Sequence, residues 1–224
     1  MSVLNYAALT EHLCSWIRVH MQQASTGKLS VDISGGIDSA VTVALCCLTA
    51  SAENVIGIYS SCHSSDVSRE LARMVAKKFN FKLVEIKLDD TFDQYVAQVK
   101  KEFKRLDIAF PDANEKQNNV IFGSLRSTLR APLGRFVNRA FMGGLRVGTG
   151  NRDEDELVRF YQKGGDGEVD LNPIAALYKS EVWALAEHLG VPQQVINATP
   201  TPDLWGIGLQ HTDESELEEL TGTA

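Results

Sequence analysis

The chain has 224 residues, enough for one substantial core and too few for two independent catalytic domains, so it reads as a single domain over 1–224. Its 44% hydrophobic and 23% charged residues are those of an ordinary globular protein, and a net charge of −7 argues against general nucleic-acid binding. No apolar run approaches the roughly 18 residues needed to cross a bilayer, which argues against a membrane protein. Residues 4–23 mix Glu11, His12 and Arg18 into an apolar pattern, which predicts an amphipathic helix and not a signal peptide. A short strand follows over 29–33, ending in a glycine-rich turn, and then a compact apolar helix over 38–50. A second strand is expected over 54–59, a helix over 67–80, a third strand over 81–86 and a helix over 91–106. Residues 118–130 predict a helix that Pro132 would interrupt. A fourth short strand follows at 145–148, then a polar, glycine-rich loop over 162–173. The last predicted helix, 179–189, is closed by Gly190 with Pro192 just beyond.

Strands alternating with helices imply parallel β-α-β units, hence an α/β protein with a doubly wound, mainly parallel sheet and helices on both faces. Ligands of such sheets bind beyond the carboxyl ends of the strands, where strand order reverses. Charge is unevenly spread along the chain. Between Lys116 and Arg152 stand seven cations (Lys116, Arg126, Arg130, Arg135, Arg139, Arg146, Arg152) and no acid, whereas the tail carries Asp213, Glu214, Glu216, Glu218 and Glu219. The basic stretch is either a solvated face or a surface for a phosphate-rich ligand or an acidic partner. Cys14, Cys46, Cys47 and Cys62 form no C-x-x-C pair, so reduced cysteines in a cytoplasmic protein are expected.

The turn after the first strand reads Ser34-Gly35-Gly36-Ile37-Asp38-Ser39. Two adjacent glycines let the backbone turn its N–H groups inward, and the helix that follows offers its positive end to an anion. Ser34 and Ser39 add hydroxyl donors. Asp38 suits such a site only with a divalent cation between it and the phosphates, so the set fits a Mg-bound pyrophosphate. The plainer alternative is that Asp38 or Ser39 caps the helix. Gly27-Lys28-Leu29 lacks the hydroxyl residue and upstream glycine of a Walker A loop, and the glycines at 143–150 do not make G-x-G-x-x-G.

SGGIDSA resembles the PP-loop (SGGxDS) of the N-type ATP pyrophosphatases, which cleave ATP between the α and β phosphates and form an adenylate. Further segments resemble those of the ammonia-dependent NAD synthetases within that superfamily. They are Val147–Glu154 (VGTGNRDE), Lys163–Pro173 (KGGDGEVDLNP), Leu177-Tyr178-Lys179 and Pro200-Thr201-Pro202-Asp203-Leu204. The resemblance implies a Rossmann-like fold of the adenine nucleotide alpha hydrolase type and a ligase using ATP and Mg. Its acceptor would be deamido-NAD, its nitrogen source ammonia and its assembly a homodimer, with the leading helix a candidate interface element. By residue, it implies that Ser34, Gly35, Gly36, Asp38, Ser39, Thr149, Lys179 and Thr201 hold ATP and that Asp38 and Glu154 hold Mg. Arg130, Lys163 and Asp170 would contact the acceptor, with Asp38, Lys179 and Asp170 catalytic; Asp170 or a nearby carboxylate would take the proton of ammonia. Singly, each has a plain reading: Lys179 a solvated helix start, Glu154 a first-turn carboxylate, Asp170 a turn residue.

Two departures fall on the acceptor side. Ser124 and Thr128 stand where the family has Asn and a substrate-binding Arg, and a His-Lys pair expected after Gln210–Leu217 is missing. A different carboxylate acceptor is therefore the alternative. With Met1-Ser2 at the start and no glutaminase region, free ammonia or a separate subunit is the expected nitrogen source. Rivals within the superfamily are a tRNA-modifying enzyme and a sulfur-transfer enzyme using Cys62 beside His63; outside it stands a nucleotide-binding module without catalysis.

Overall fold

The computed structural model describes residues 5–111, 119–158 and 163–199. Thr201, the segments at 200–204 and 210–217, the acidic tail and Lys116 lie outside the described residues. In chain order the elements are α1 (Tyr6–Gln23), β1 (Leu29–Asp32), α2 (Ile37–Ala50), β2 (Val55–Ser61), α3 (Asp66–Phe79), β3 (Lys82–Lys87) and α4 (Asp89–Arg105). They continue with α5 (Asn119–Ala140), β4 (Leu145–Val147), α6 (Lys179–Leu189) and α7 (Gln193–Ile196).

The strands form one parallel sheet in the order β3-β2-β1-β4. The chain builds outward from β1 through β2 to β3, then returns to the other side of β1 for β4. The reversal therefore lies between β1 and β4, and the loops that follow those two strands, 33–36 and 148–152, meet there. The two-residue period of a strand assigns its side chains to opposite layers. Leu29, Val31, Val55 and Tyr59 join the larger core with α1, α2, α3 and α6. Ile56 and Ile58 face the other way and pack with Val137, Leu133 and Phe141 of the α5 region. Helices thus cover both faces, as expected. The apolar stripe of α1 (Leu13, Cys14, Ile17, Met21) is taken up by the same large core, not held out for a partner. No helix among the described residues is long and apolar enough to cross a membrane.

Under α5 the sheet is polar. Ser30 accepts a hydrogen bond from Asn138 Nδ2 at 2.8 Å. Arg146 of β4 is 1% exposed and pairs with Asp32 and with Glu168. Gly134 is what lets α5 cross here: a Cβ on it would come within 2.9 Å of the Arg146 guanidinium. Arg135 pairs with Asp170 and Glu168, and Arg152 with Glu156. Three of the seven cations of the acid-free stretch are therefore neutralised by acids of residues 32 and 156–170, so part of that stretch finds its acidic partner within the chain itself.

Pro132 does not end its helix, contrary to expectation. α5 runs on to Ala140 with Pro132 inside it and exposed. The missing N–H costs one helical hydrogen bond, but Phe122, Leu129, Ala131 and Val137 are buried on both sides of it, and that packing holds the axis. The 162–173 loop also holds more order than its composition suggests: Leu171 bridges Val147 in parallel, and Gly148 N–H donates to Leu171 O at 2.8 Å.

At the centre of the sheet a Cβ on Gly57 would lie 2.4 Å from the Phe81 ring and 2.9 Å from Ile33 Cγ1. Gly57→Ala is expected to destabilise the fold by about 1–3 kcal/mol through overpacking; an unchanged urea-unfolding midpoint would show that this contact is not close.

Candidate active site

The turn after β1 owes its shape to Gly35 and two serines. Gly35 has φ +88°, and a Cβ there would sit 2.4 Å from the Ser68 carbonyl oxygen of α3, so both conformation and space require glycine. Gly36 N–H donates to Ser34 Oγ at 3.2 Å, and Ser39 Oγ–H donates to Gly36 O at 2.9 Å. The two hydroxyls are 3.3 Å apart. α2 starts at Ile37 with Gly36 as its N-cap, and no side chain caps it. The capping alternative for Asp38 and Ser39 therefore fails. The first-turn N–H groups face the loop with its hydroxyls, a suitable cradle for phosphate.

Asp38 is engaged elsewhere. Its Oδ2 accepts a hydrogen bond from Lys179 Nζ at 2.6 Å and its Oδ1 one from Asn151 Nδ2 at 2.9 Å. Lys179 Nζ also donates to Glu154 Oε1 at 2.9 Å. These side chains come from the start of α2, the turn after β4 and the start of α6. The turn after β4 is held from both ends. Asn151, fully buried, accepts from Glu154 N–H at 3.1 Å; Arg152 N–H donates to Leu177 O at 2.8 Å; and Lys179 N–H donates to Asp153 Oδ2 at 2.6 Å. Residues Asp153–Val158 form a π-helical turn, a form often found at functional sites, and it carries Glu154 inward beside Asp38.

The electrostatics follow from burial. Desolvation and the nearby Asp38 carboxylate raise the Glu154 pKa, against the pull of Lys179. Burial alone would lower the Lys179 pKa, but Asp38 and Glu154 outweigh it and hold the ammonium charged. Among the described residues no three of His, Cys, Asp and Glu converge as a metal-binding group. Two carboxylates with an ammonium ion seated between them nonetheless suit a hard cation that takes its remaining ligands from phosphates and water, as Mg commonly does.

Beside this junction lies a cleft of about 360 Å³ lined by Thr149, Gly150, Glu154, Asp155, Asp166 and Asn172, among others. Asn172 Nδ2 donates to Asp155 Oδ2 at 2.7 Å, and burial together with Asp166 raises the Asp155 pKa. Ser127 Oγ donates to Asp166 Oδ1 at 3.2 Å, which ties the cleft to α5.

The structure thus brings together Ser34, Gly35, Gly36, Asp38, Ser39, Thr149, Glu154 and Lys179. It places the three acceptor-side residues apart from that junction. Asp170 is held by Arg135 (3.1 and 2.8 Å) and by Arg146 N–H (2.7 Å); burial opposes its ionisation, but these donors prevail and its pKa is lowered. Arg130 Nε donates to Ser60 O at the end of β2, and Lys163 is exposed on the loop after the π-turn. Arg126 lies over the Phe92 ring at 5.1 Å, so it faces α4 and does not stand in for an arginine at 128. Cys62 is 1% exposed and burial pushes its thiol up to about 11, which disfavours a thiolate there. Asn151, Asp155, Asp166 and Asn172 carried no assigned role in the sequence. Asn151, Asp166 and Asn172 stand within segments that carry the resemblance. Asp155 gives no signal, because it meets Asn172 only where the 163–173 loop folds back.

The profile of the family described as NAD synthase matches residues 9–220. The chain belongs to the NAD synthase family. It is accordingly an enzyme of the ligase class that forms a C–N bond. It is 36% identical over 214 residues to the NH(3)-dependent NAD(+) synthetase of Carboxydothermus hydrogenoformans, a match that covers 96% of this chain and 82% of that protein. In fold it is similar to the NMN synthetase from Francisella tularensis (TM-score 0.82, 22% identity, 99% of this chain and 88% of that one). It is also similar to the NH3-dependent NAD synthetase from Campylobacter jejuni (TM-score 0.74, 24% identity, 98% and 85%).

Gly35→Ala is expected to abolish detectable ATP binding in calorimetry while the far-UV spectrum stays native. Retained ATP affinity would remove the 34–39 turn from the nucleotide site.

Proposed function

We infer that the chain amidates deamido-NAD to NAD, using ATP and ammonia and releasing AMP and pyrophosphate. The observation that carries this is the junction of Asp38, Glu154 and Lys179 beside an uncapped glycine turn where strand order reverses. The acceptor carboxylate attacks the α-phosphorus of ATP, and the bond to pyrophosphate breaks. The turn N–H groups, Ser34 and Ser39 receive the leaving pyrophosphate, and Lys179 supplies a positive charge to the phosphates. Asp38 and Glu154 would hold Mg, which when bound spreads the charge developing on the phosphate oxygens. Thr149 and Thr201 contribute to the nucleotide site. No protein nucleophile is needed.

Ammonia nitrogen then attacks the acyl carbon of the adenylate and AMP leaves. We assign the proton transfer to Asp155 in place of Asp170. Asp155 faces the cleft with a raised pKa, while Asp170 is held ionised by two donors and is a weak base. Lys163 and Arg130 remain acceptor-binding residues in this reading, with Asp170 positioning the loop that carries Lys163. Ser124 and Thr128 favour a second reading, the same chemistry on a smaller nicotinate-bearing acceptor. We also propose a homodimer, supported by Tyr95, Val99, Ile121 and Phe136, which α4 and α5 leave exposed, and no longer by α1.

The test is product analysis with ATP, Mg, ammonium and either deamido-NAD or nicotinate mononucleotide. NAD with stoichiometric AMP is expected, falling about 10²–10³-fold in Asp38→Asn. Asp155→Asn should keep pyrophosphate release but slow amide formation. AMP formed only with the mononucleotide would establish the second reading, and none with either acceptor would sink both. Sedimentation equilibrium is expected to give twice the 24.6 kDa chain mass; a single-chain mass would refute the dimer.

A further inference from the structure

Lys179 Nζ is 2.6 Å from Asp38 Oδ2 and 2.9 Å from Glu154 Oε1. It sits between the two carboxylates that, on the reading above, hold the metal. The second Asp38 oxygen is already occupied by Asn151 Nδ2 at 2.9 Å, so the carboxylate is fixed in orientation by a fully buried amide. Asp38 and Glu154 would hold a divalent cation, but both carboxylates are already neutralised by the Lys179 ammonium, which would repel a second cation brought beside it.

We propose that Lys179 is the resident cation of the ligand-free site and that metal and nucleotide load together by exchange. The lysine yields its place between the carboxylates only when phosphate oxygens are present to accept its three N–H donors. The phosphates then gain the ammonium and the metal in one step. Metal alone gains little, because binding it would displace a cation already neutralising both carboxylates. The coupling is reciprocal: nucleotide raises metal affinity and metal raises nucleotide affinity by the same factor. The exchange rests on Asp38 and Glu154 being the metal pair of the reaction inferred above.

The test uses Mn as the probe and electron paramagnetic resonance of free Mn as the readout, with no turnover. Wild-type protein is expected to bind Mn weakly alone and about tenfold or more tightly with an ATP analogue blocked between the α and β phosphates. Lys179→Met removes the tenant, so its Mn affinity without nucleotide should rise about tenfold or more and the added effect of the analogue should shrink. Lys179→Gln is the second neutral variant, to be used where Met compromises folding, and the same rise is expected. Lys179→Arg keeps a cation in place and should keep weak nucleotide-free binding. Neutral variants that bind Mn no more tightly than wild type without nucleotide overturn the exchange, while the metal pair survives if the analogue still recruits Mn to wild type. If Mn does not bind wild type even with the analogue, the metal assignment fails and the exchange fails with it.

Discussion

The site depends on one ammonium ion between two carboxylates. Asp38 and Glu154 approach each other in a partly buried junction, where two uncompensated negative charges would be costly. Lys179 makes the approach possible, and its partners lie 141 and 25 residues away in the chain. That contact joins the turn after β1, the turn after β4 and the start of α6, so the glycine turn and the carboxylate pair beside it form one electrostatic arrangement. Asn151 completes it by fixing Asp38 with a neutral donor that adds no charge.

A second charged layer, under α5, has a different task. Arg146 is buried and reaches Asp32 at the end of β1 and Glu168 in the loop beyond the cleft, while Arg135 holds Glu168 and Asp170. Asp32 is two residues before Ser34, so the glycine turn after β1 and the 163–173 loop are anchored to the same guanidinium. A buried arginine must be met by acids from elsewhere in the chain, and that requirement shapes the loop. It also explains why Asp170 is engaged in structure while Asp155 and Asp166 face the cleft.

The two halves of the site differ in how closely they follow the family. On the ATP side the turn, Thr149, Glu154 and Lys179 match the resembling segments and converge in space. On the acceptor side Ser124 and Thr128 depart from the pattern, and Arg126 is turned onto Phe92. Adenylation of a carboxylate is thus supported by both pattern and geometry, and the departures from the pattern lie on the acceptor side. Burial of Cys62 pushes its thiol up to about 11, which disfavours the thiolate that a sulfur-transfer route would use.

The sequence by itself determined the elements and the class of chemistry. Alternating short apolar strands and amphipathic helices left a parallel α/β sheet as the consistent reading, and two glycines between strand and helix marked the anion cradle, because those signals are local in the chain. Its boundaries for β1, α2 and α6 fall within a residue of the observed ones for the same reason. Pro132 misled because propensity counts a lost hydrogen bond but not the core contacts on either side of it, which only packing supplies. The acid-free stretch could not reveal its partners, since Arg135 and Arg146 meet acids 22 to 114 residues away. Tertiary structure alone decided that Asp38 faces Lys179 in place of capping its helix, that Asp170 is bound to Arg135, and that Asp155 and Asn172 share a cleft. Each of these is a choice between partners distant in the chain, and burial sets the cost of leaving a charge unpaired.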